Sequence, residues 1–341
     1  MILPPEATVW SRDHLRLHRW LRREPGWLPA GAPLLLAVSG GQDSMALTAL
    51  LLGLRRRHGW RLHLWHGDHR WRPESGAQAA DLAAWARSRG LDLQVEQAPA
   101  PPRGEAGARA WRYDCLAREA RRLACRHVVT GHTASDRAET VLLNLARGSH
   151  RRGLSAPPAF RLLNRDPNSP ALVRPLLPFT REDTARICRA LALPVWIDAS
   201  NDDPRHARNR VRAEVLPVLE ALHPGSARRI SALAERWGKE LAAEEELLAL
   251  ALEPLAEPAS PPARAALARR RLTALAPANQ GRLLQHWLKR HGPEGLASEG
   301  LALLVARLPL SGGPGGWDLA AGWQLRWNAS KVELIPPEPH G

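Results

Sequence analysis

The segment Leu34-Leu35-Leu36-Ala37-Val38-Ser39-Gly40-Gly41-Gln42-Asp43-Ser44 decides how this chain folds. Its first five residues are apolar and are bounded by Pro33 and by Ser39-Gly40-Gly41, so they read as a buried strand. Residues 44–58 then follow with helical periodicity. A strand that enters a helix through paired glycines is suited to holding phosphate. Gly40 and Gly41 let the backbone approach a ligand closely. The helix N-terminus offers unpaired N–H groups and partial positive charge. Ser39 and Ser44 add hydroxyl donors, and Gln42 lies between them. Asp43 would repel phosphate unless a divalent cation lay between, which argues for Mg²⁺. The string is neither GxxxxGK[ST] nor GxGxxG. The bland alternative is a strand-to-helix turn with serine caps.

Outward from this loop, strands are expected at 61–66, 91–96, 127–130 and 195–198. Helices are expected at 10–23, 74–89, 106–125, 136–146 and 181–191. Alternation of this kind predicts an α/β fold, a doubly wound and mostly parallel sheet. The stretch 147–170 reads as an unusually long loop. From about His223 the pattern becomes helical, at 227–252, 262–274, 280–291 and 297–307. Two or three short strands are expected in 317–336. The expected division is a catalytic domain, 1–222, and a smaller, mainly helical domain, 223–341.

The length of 341 residues suits two domains at about 150 residues each. No apolar run reaches the ~20 residues of a membrane helix, and residues 1–10 lack the pattern of a secretory signal. Cys115, Cys125 and Cys188 have no close spacing, which argues against a disulfide framework, a zinc ribbon or a CxxC centre. A reducing cytoplasm fits. The 48 basic residues exceed the 34 acidic ones, for a net charge of +14. Only three of the basic residues are lysine, and the 14 tryptophans accompany abundant Ala, Arg and Pro. A GC-rich genome explains that choice of residue types but not the charge excess, which points to nucleic acid.

The loop resembles the SGGxDS signature of the N-type ATP pyrophosphatases, the PP-loop enzymes. Later segments resemble one branch of them. Trp65-His66-Gly67-Asp68-His69 is similar to its HVDH, and Arg109-Ala110-Trp111-Arg112-Tyr113 to its AR-x-x-RY stretch. The run Thr130-Gly131-His132 through Asp136, Glu139 and Gly148 is similar to TGHHADDQAETVLLRLxRG. Arg174-Pro175-Leu176-Leu177 precedes a DxSNxD-like segment at 198–203 and the RNRxR-like Arg208-Asn209-Arg210-Val211-Arg212. Over roughly 34–217 the chain resembles the tRNA(Ile)-lysidine synthetases, in the short form without the last C-terminal domain. Thr133 and Ser135 depart from the pattern, standing for a histidine and an aspartate.

The resemblance implies ATP and Mg²⁺, free L-lysine, and the tRNA(Ile) with a CAU anticodon. The cytidine 2-carbonyl oxygen attacks the α-phosphorus of ATP, and the lysine ε-amine then expels AMP. In that reading Ser39, Gly40, Gly41, Gln42, Asp43 and Ser44 hold ATP, with Asp43 on the metal. Asp68 holds metal or ribose, or else forms a turn. His132 contacts the α-phosphate or acts as acid or base, or else supports the helix entry. Asp136 and Glu139, three apart on one helix, would engage lysine. Their competing roles are a capping box from Thr133 and a solvated helix face. Arg109, Arg112, Arg205, Arg208, Arg210 and Arg212 are the expected tRNA contacts. The last four compete with an Arg–Asp network to Asp198, Asp202 and Asp203. Arg228, Arg229, Arg236, Arg269, Arg270 and Arg271 are expected to contact tRNA farther away. The rival enzyme is a thiolating tRNA modifier, disfavoured by the missing paired cysteines, and the rival class is an inactive RNA-binding protein. No membrane partner is expected. The oligomeric state stays open, a homodimer being one option.

Overall fold

The computed structural model describes residues 10–164, 166–196, 205–292, 295–309, 311 and 313–337. The chain divides into two compact units, 1–238 and 239–341.

In the first unit the elements are α1 (Arg12–Leu21), β1 (Pro33–Ala37), α2 (Gln42–His58), β2 (Arg61–Asp68), α3 (Ser75–Ser88), β3 (Leu93–Gln97), α4 (Gly104–Arg122), β4 (His127–Thr130), α5 (Ala134–Ala146), α6 (Arg151–Leu154), β5 (Phe160–Leu162), β6 (Ala171–Val173), α7 (Arg181–Ala190), α8 (Ala207–Arg210) and α9 (Leu216–Leu222). The unit ends in the first half of α10 (Ser226–Leu252). The sheet has six strands in the order β3-β2-β1-β4-β6-β5, all parallel except β5. Successive side chains of a strand point to opposite faces, and both faces of β1 are covered. Leu34 and Leu36 enter the core shared with α1, α2 and α7, whereas Leu35 packs with Leu116 and Ala120 of α4, Val128 and Leu172. Cover on both sides explains why β1 reads as an unbroken apolar run.

Two expectations are corrected here. The stretch 147–170 is not a bare loop: it holds α6 and β5, and β5 pairs antiparallel with β6. The strand expected at 195–198 is not seen at Val195 and Trp196, and the remainder lies outside the described residues. The place beside β4 belongs to β6, whose three residues are too short for periodicity to reveal.

The second unit contains the end of α10, β7 (Ala256–Glu257), β8 (Ala265–Ala268), α11 (Arg269–Thr273), α12 (Pro277–His291), α13 (Ser298–Arg307), β9 (Gly315–Asp318), β10 (Gln324–Trp327) and β11 (Lys331–Ile335). A five-stranded antiparallel sheet, β7-β8-β11-β10-β9, packs with α12 and α13 around Leu267, Leu284, Trp287, Leu304, Leu325 and Leu334. The helix expected at 262–274 is instead β8 followed by the short α11. Pairing of Ala265–Ala268 with β11 overrides the helix propensity of alanine. Arg269 is fully buried and donates to the carbonyls of Leu308, Pro309 and Asn328, so it braces this unit and is not presented to a phosphate.

Candidate active site

The carboxyl ends of β1 and β4 lie side by side, the place where open α/β sheets bind ligands. After β1, Gly40 takes φ +81° and packs against the Trp196 ring, which a Cβ would approach to 3.2 Å. Ser39 Oγ and Ser44 Oγ are 3.1 Å apart, Ser44 Oγ donates to the Gly41 carbonyl at 2.8 Å, and the Gly41 N–H donates to Ser39 Oγ at 3.3 Å. The hydroxyls thus hold the loop's shape. Gly41 is the N-cap of α2, and no side chain caps that helix, so its first-turn N–H groups are left open to a ligand. Gln42 points elsewhere: its Nε2 donates to the Arg181 carbonyl and to Thr184 Oγ1, tying the loop to α7.

After β4, Gly131 passes close over this loop. A Cβ there would stand 3.0 Å from the Asp43 carbonyl carbon. The next residues start α5 with a reciprocal cap. Thr133 Oγ1 accepts from the Asp136 N–H at 3.3 Å, and Asp136 Oδ2 accepts from the Thr133 N–H at 2.8 Å. Thr133 therefore supplies the cap where the resembling family carries histidine. Ser135 Oγ accepts the Arg181 N–H at 3.2 Å, joining the starts of α5 and α7.

Three acidic residues converge here. Asp43 lies against Thr184 Oγ1 and 3.3 Å from Arg181 Nη1. Burial first, then the nearby Asp136 carboxylate, push its carboxyl up to about 6, while Arg181, Thr184 and Arg212 oppose the rise. Asp136 is held below the ordinary range: burial works against ionisation, but Arg208, His132 and the Thr133 donors outweigh it. Glu139 is wholly buried, which removes the solvated-face alternative. It accepts from Arg208 Nε at 2.7 Å and from Arg212 Nε and Nη2 at 2.7 and 3.0 Å. Arg208 Nη2 also reaches Asp136 Oδ1 at 3.3 Å. A π-helical turn, Val211–Val215, follows α8. Arg208 and Arg212, four residues apart, turn inward, while Arg210 turns outward to Glu214. The inward pair meets α5 carboxylates; Asp198, Asp202 and Asp203 lie outside the described residues. Arg205 is exposed.

His132 Nδ1 lies 2.9 Å from Thr130 Oγ1. Burial, then Arg174, Arg112 and Arg208, lower its pKa to about 3 against the pull of Asp136, so the imidazole is uncharged at neutral pH. It can donate or accept a hydrogen bond but does not supply positive charge. Asp68 ends β2, 3% exposed. Its two oxygens accept from the Arg70 N–H at 2.8 Å and Gln97 Nε2 at 3.2 Å, so the carboxylate is engaged in forming the turn. Arg109 and Arg112 flank Tyr113 on α4. Arg181, Thr184, Arg161 and Arg174 went unassigned in the sequence; only Arg174 lay within a quoted motif. The thiols of Cys115, Cys125 and Cys188 are buried and separate, and burial pushes each up to about 11. They are neither paired nor ionised, unlike a sulfur-transfer centre.

A parallel sheet, a glycine-rich loop after β1 and carboxylates at the neighbouring strand end define a nucleotide-handling enzyme of the PP-loop class. The PP-loop domain family matches residues 21–219. The fold is similar to that of the U34-tRNA thiolase NcsA from Methanococcus maripaludis. That match has a TM-score of 0.54 and 15% identity over 69% of this chain and 87% of that one. Among sequences, the tRNA(Ile)-lysidine synthase of Parasynechococcus marenigrum is 50% identical over 98% of this chain and 97% of its own length. Those of Thermosynechococcus vestitus and of the SARG strain of Prochlorococcus marinus are 40% and 39% identical, over 97% and 96% of this chain and 94% and 97% of theirs. The chain belongs to the tRNA(Ile)-lysidine synthase family.

Proposed function

We propose that this chain joins lysine to the wobble cytidine of the CAU-anticodon tRNA(Ile), and that both steps occur at the carboxyl edge between β1 and β4. The cytidine 2-carbonyl oxygen attacks the α-phosphorus of ATP and pyrophosphate leaves. The lysine ε-amine, as free base, attacks the activated ring carbon and AMP leaves. The product pairs with A instead of G, so the tRNA reads AUA and accepts isoleucine. The setting is the cytoplasm.

The carrying observation is that the uncapped α2 N-terminus and the Asp43–Asp136–Glu139 carboxylates share one crevice. The N–H groups of the loop suit the triphosphate and the charge that develops as pyrophosphate departs. Asp43 and Asp136 fit a hard cation, because two carboxylates that disfavour each other's ionisation are relieved by one between them. Among the described residues no group of three or more His, Cys, Asp or Glu could hold a metal unaided. One or two carboxylates completed by substrate phosphates is the usual arrangement for Mg²⁺, which when bound neutralises phosphate charge. Lysine is both cation and anion. Arg208 and Arg212, set against Asp136 and Glu139, supply both kinds of partner. Arg109 and Arg112, beside Tyr113 on α4, suit tRNA phosphates, and the exposed Arg205 and Arg210, the latter now paired with Glu214, face solvent where they could exchange onto them.

The test supplies ATP, tRNA(Ile) transcript and each amino acid in turn. AMP release and mass gain at the wobble base should require lysine and tRNA together. Lysine-independent turnover, or transfer of sulfur instead, overturns the reading.

A further inference from the structure

Tyr113 is the only tyrosine of the chain, and four guanidiniums gather around it. Arg109 and Arg112 of α4 have Cζ 5.4 and 5.8 Å from its ring centroid, and Arg161 of β5 has Cζ at 5.1 Å. Arg109 Nη2 donates to the phenol oxygen at 3.2 Å. Arg174, directly after β6, is the fourth and is only 1% exposed. Its Nη1 donates to the Pro158 carbonyl, but its Nε is buried with no partner. Among the described residues no carboxylate forms an ion pair with any of the four. Buried charge is ordinarily neutralised by a partner; Glu105 acts on Arg112 without pairing to it, and the acidic group the four arginines share is a phenol. Burial works against its ionisation, yet the arginines, Arg109 first, lower its pKa to about 8.

The cluster has a definite place. Phe160 of β5 pairs with Val173 of β6, and Val173 with Val129 of β4. Arg161 and Arg174 therefore stand near the carboxyl edge on the side of β4 away from the 39–44 loop, and Arg109 and Arg112 reach them through Tyr113 from α4. Arg174 and Arg112 are near enough to His132 to disfavour its protonation. The triphosphate is served by the loop on the β1 side. An anion on the β6 side belongs to whatever chain carries the reacting base.

We propose that Arg109, Arg112, Arg161 and Arg174 form a subsite for a phosphodiester of the RNA strand beside the base being modified, with Tyr113 spacing the guanidiniums. This rests on the lysidine reading, which requires that base near His132. Arginine forks suit phosphate oxygens, and such contacts set register without reading sequence. Tyr113 is a positioning residue.

The experiment measures tRNA Kd against salt for Arg161→Gln, Arg109→Gln and Tyr113→Phe, with ATP Kd in parallel. Each arginine variant should lose about tenfold in tRNA affinity, as expected of a charged hydrogen bond. The slope of log affinity against log salt should flatten by about 0.7–0.9 per lost contact. ATP affinity should not change. Tyr113→Phe should weaken tRNA binding and also flatten the slope, which loss of packing alone would not do. Arg161 is half-buried at a sheet edge, so its variant keeps the proposal testable if the others fold poorly. Unchanged tRNA affinity and slope in a folded Arg161→Gln protein overturns the subsite, as does a loss confined to ATP. If the wild type binds tRNA but makes no lysidine, the functional reading fails while the salt slopes still decide the subsite.

Discussion

Replacing Asp43 by asparagine should stabilise the free protein while abolishing its chemistry. The Asp43 carboxyl sits at about 6 against an ordinary 3.8, raised by burial and by Asp136. That gap corresponds to about 3 kcal/mol. Because the folded pKa lies above the unfolded one, the stabilising contribution is complete below about pH 4 and disappears as pH rises through about 6. At neutral pH the folded protein therefore carries the full cost of an ionised Asp43. The figure of about 3 kcal/mol already includes the opposing pull of Arg181 and Thr184, and solvent around the 36%-exposed Arg181 side chain screens part of it. The net gain should be about 1–2 kcal/mol, or roughly 2–8 °C in Tm for a unit of this size. Calorimetric melts in EDTA at pH 5 and pH 8 test this, with the variant's advantage larger at pH 8. Adding ATP and Mg²⁺ should raise the wild-type Tm and leave the variant nearly unmoved. Pyrophosphate release should fall about 100-fold or more, on the scale of a lost charge stabiliser. A variant that melts below the wild type at pH 8, or a difference that ignores pH, would refute the reasoning.

Other outcomes follow from single contacts. Glu139→Gln leaves Arg208 and Arg212 facing a neutral buried group, and should cost about 2–3 kcal/mol in urea melts. It should also raise the lysine KM more than the ATP KM; a shift in the ATP KM alone would assign Glu139 to nucleotide or fold. Tyrosinate absorbance should titrate near 8 in the folded chain and near 10 once unfolded. With the folded pKa below the unfolded one, stability should rise between those pH values; a folded midpoint at 10 would dissolve the arginine cage. A chain ended after Gly238 should fold, whereas one ended at Pro224 should melt much lower. The shorter cut removes Ala227 and Ile230 from beneath α5, Arg228 from Asp183 and the Ser231 carbonyl from Arg137; equal melting points would contradict this.

Much of the first unit was legible because β1 is an unbroken apolar run, the strands alternate with helical stretches, and α1, α5 and α7 carry local capping boxes. Those signals lie within a few residues of one another. Strand β6 escaped notice because three residues carry no period, and β8 because Ala265–Ala268 is helix-prone until a partner strand claims it. In the site, Asp43, His132 and Asp136 stood out as chemically capable side chains at strand ends. The pairing of Arg208 and Arg212 with Glu139 did not, since the partners are 69 and 73 residues apart and no local spacing relates them. Arg174 lay within a segment quoted only for its family resemblance, with no role attached to it. Its importance comes from burial beside Tyr113, which only the packed chain reveals.

The two departures from the family pattern, Thr133 and Ser135, make sense in the same terms. Both sit where α5 begins, and both serve the backbone. Thr133 is fully buried and closes a reciprocal cap with Asp136, which fixes the direction of that carboxylate. A threonine cap is worth about 1 kcal/mol, and here it also sets where a reacting group points. Ser135, 9% exposed, accepts the N–H that opens α7, the helix carrying Arg181 and Thr184 toward Asp43. An aspartate at position 135 would add negative charge to a crevice where Asp43 and Asp136 already oppose each other's ionisation. Serine keeps an acceptor for the Arg181 N–H without that charge. In this chain both side chains are used by the backbone, one to cap α5 and one to join it to α7, so the arrangement proposed to act on ATP and lysine is tied together through them.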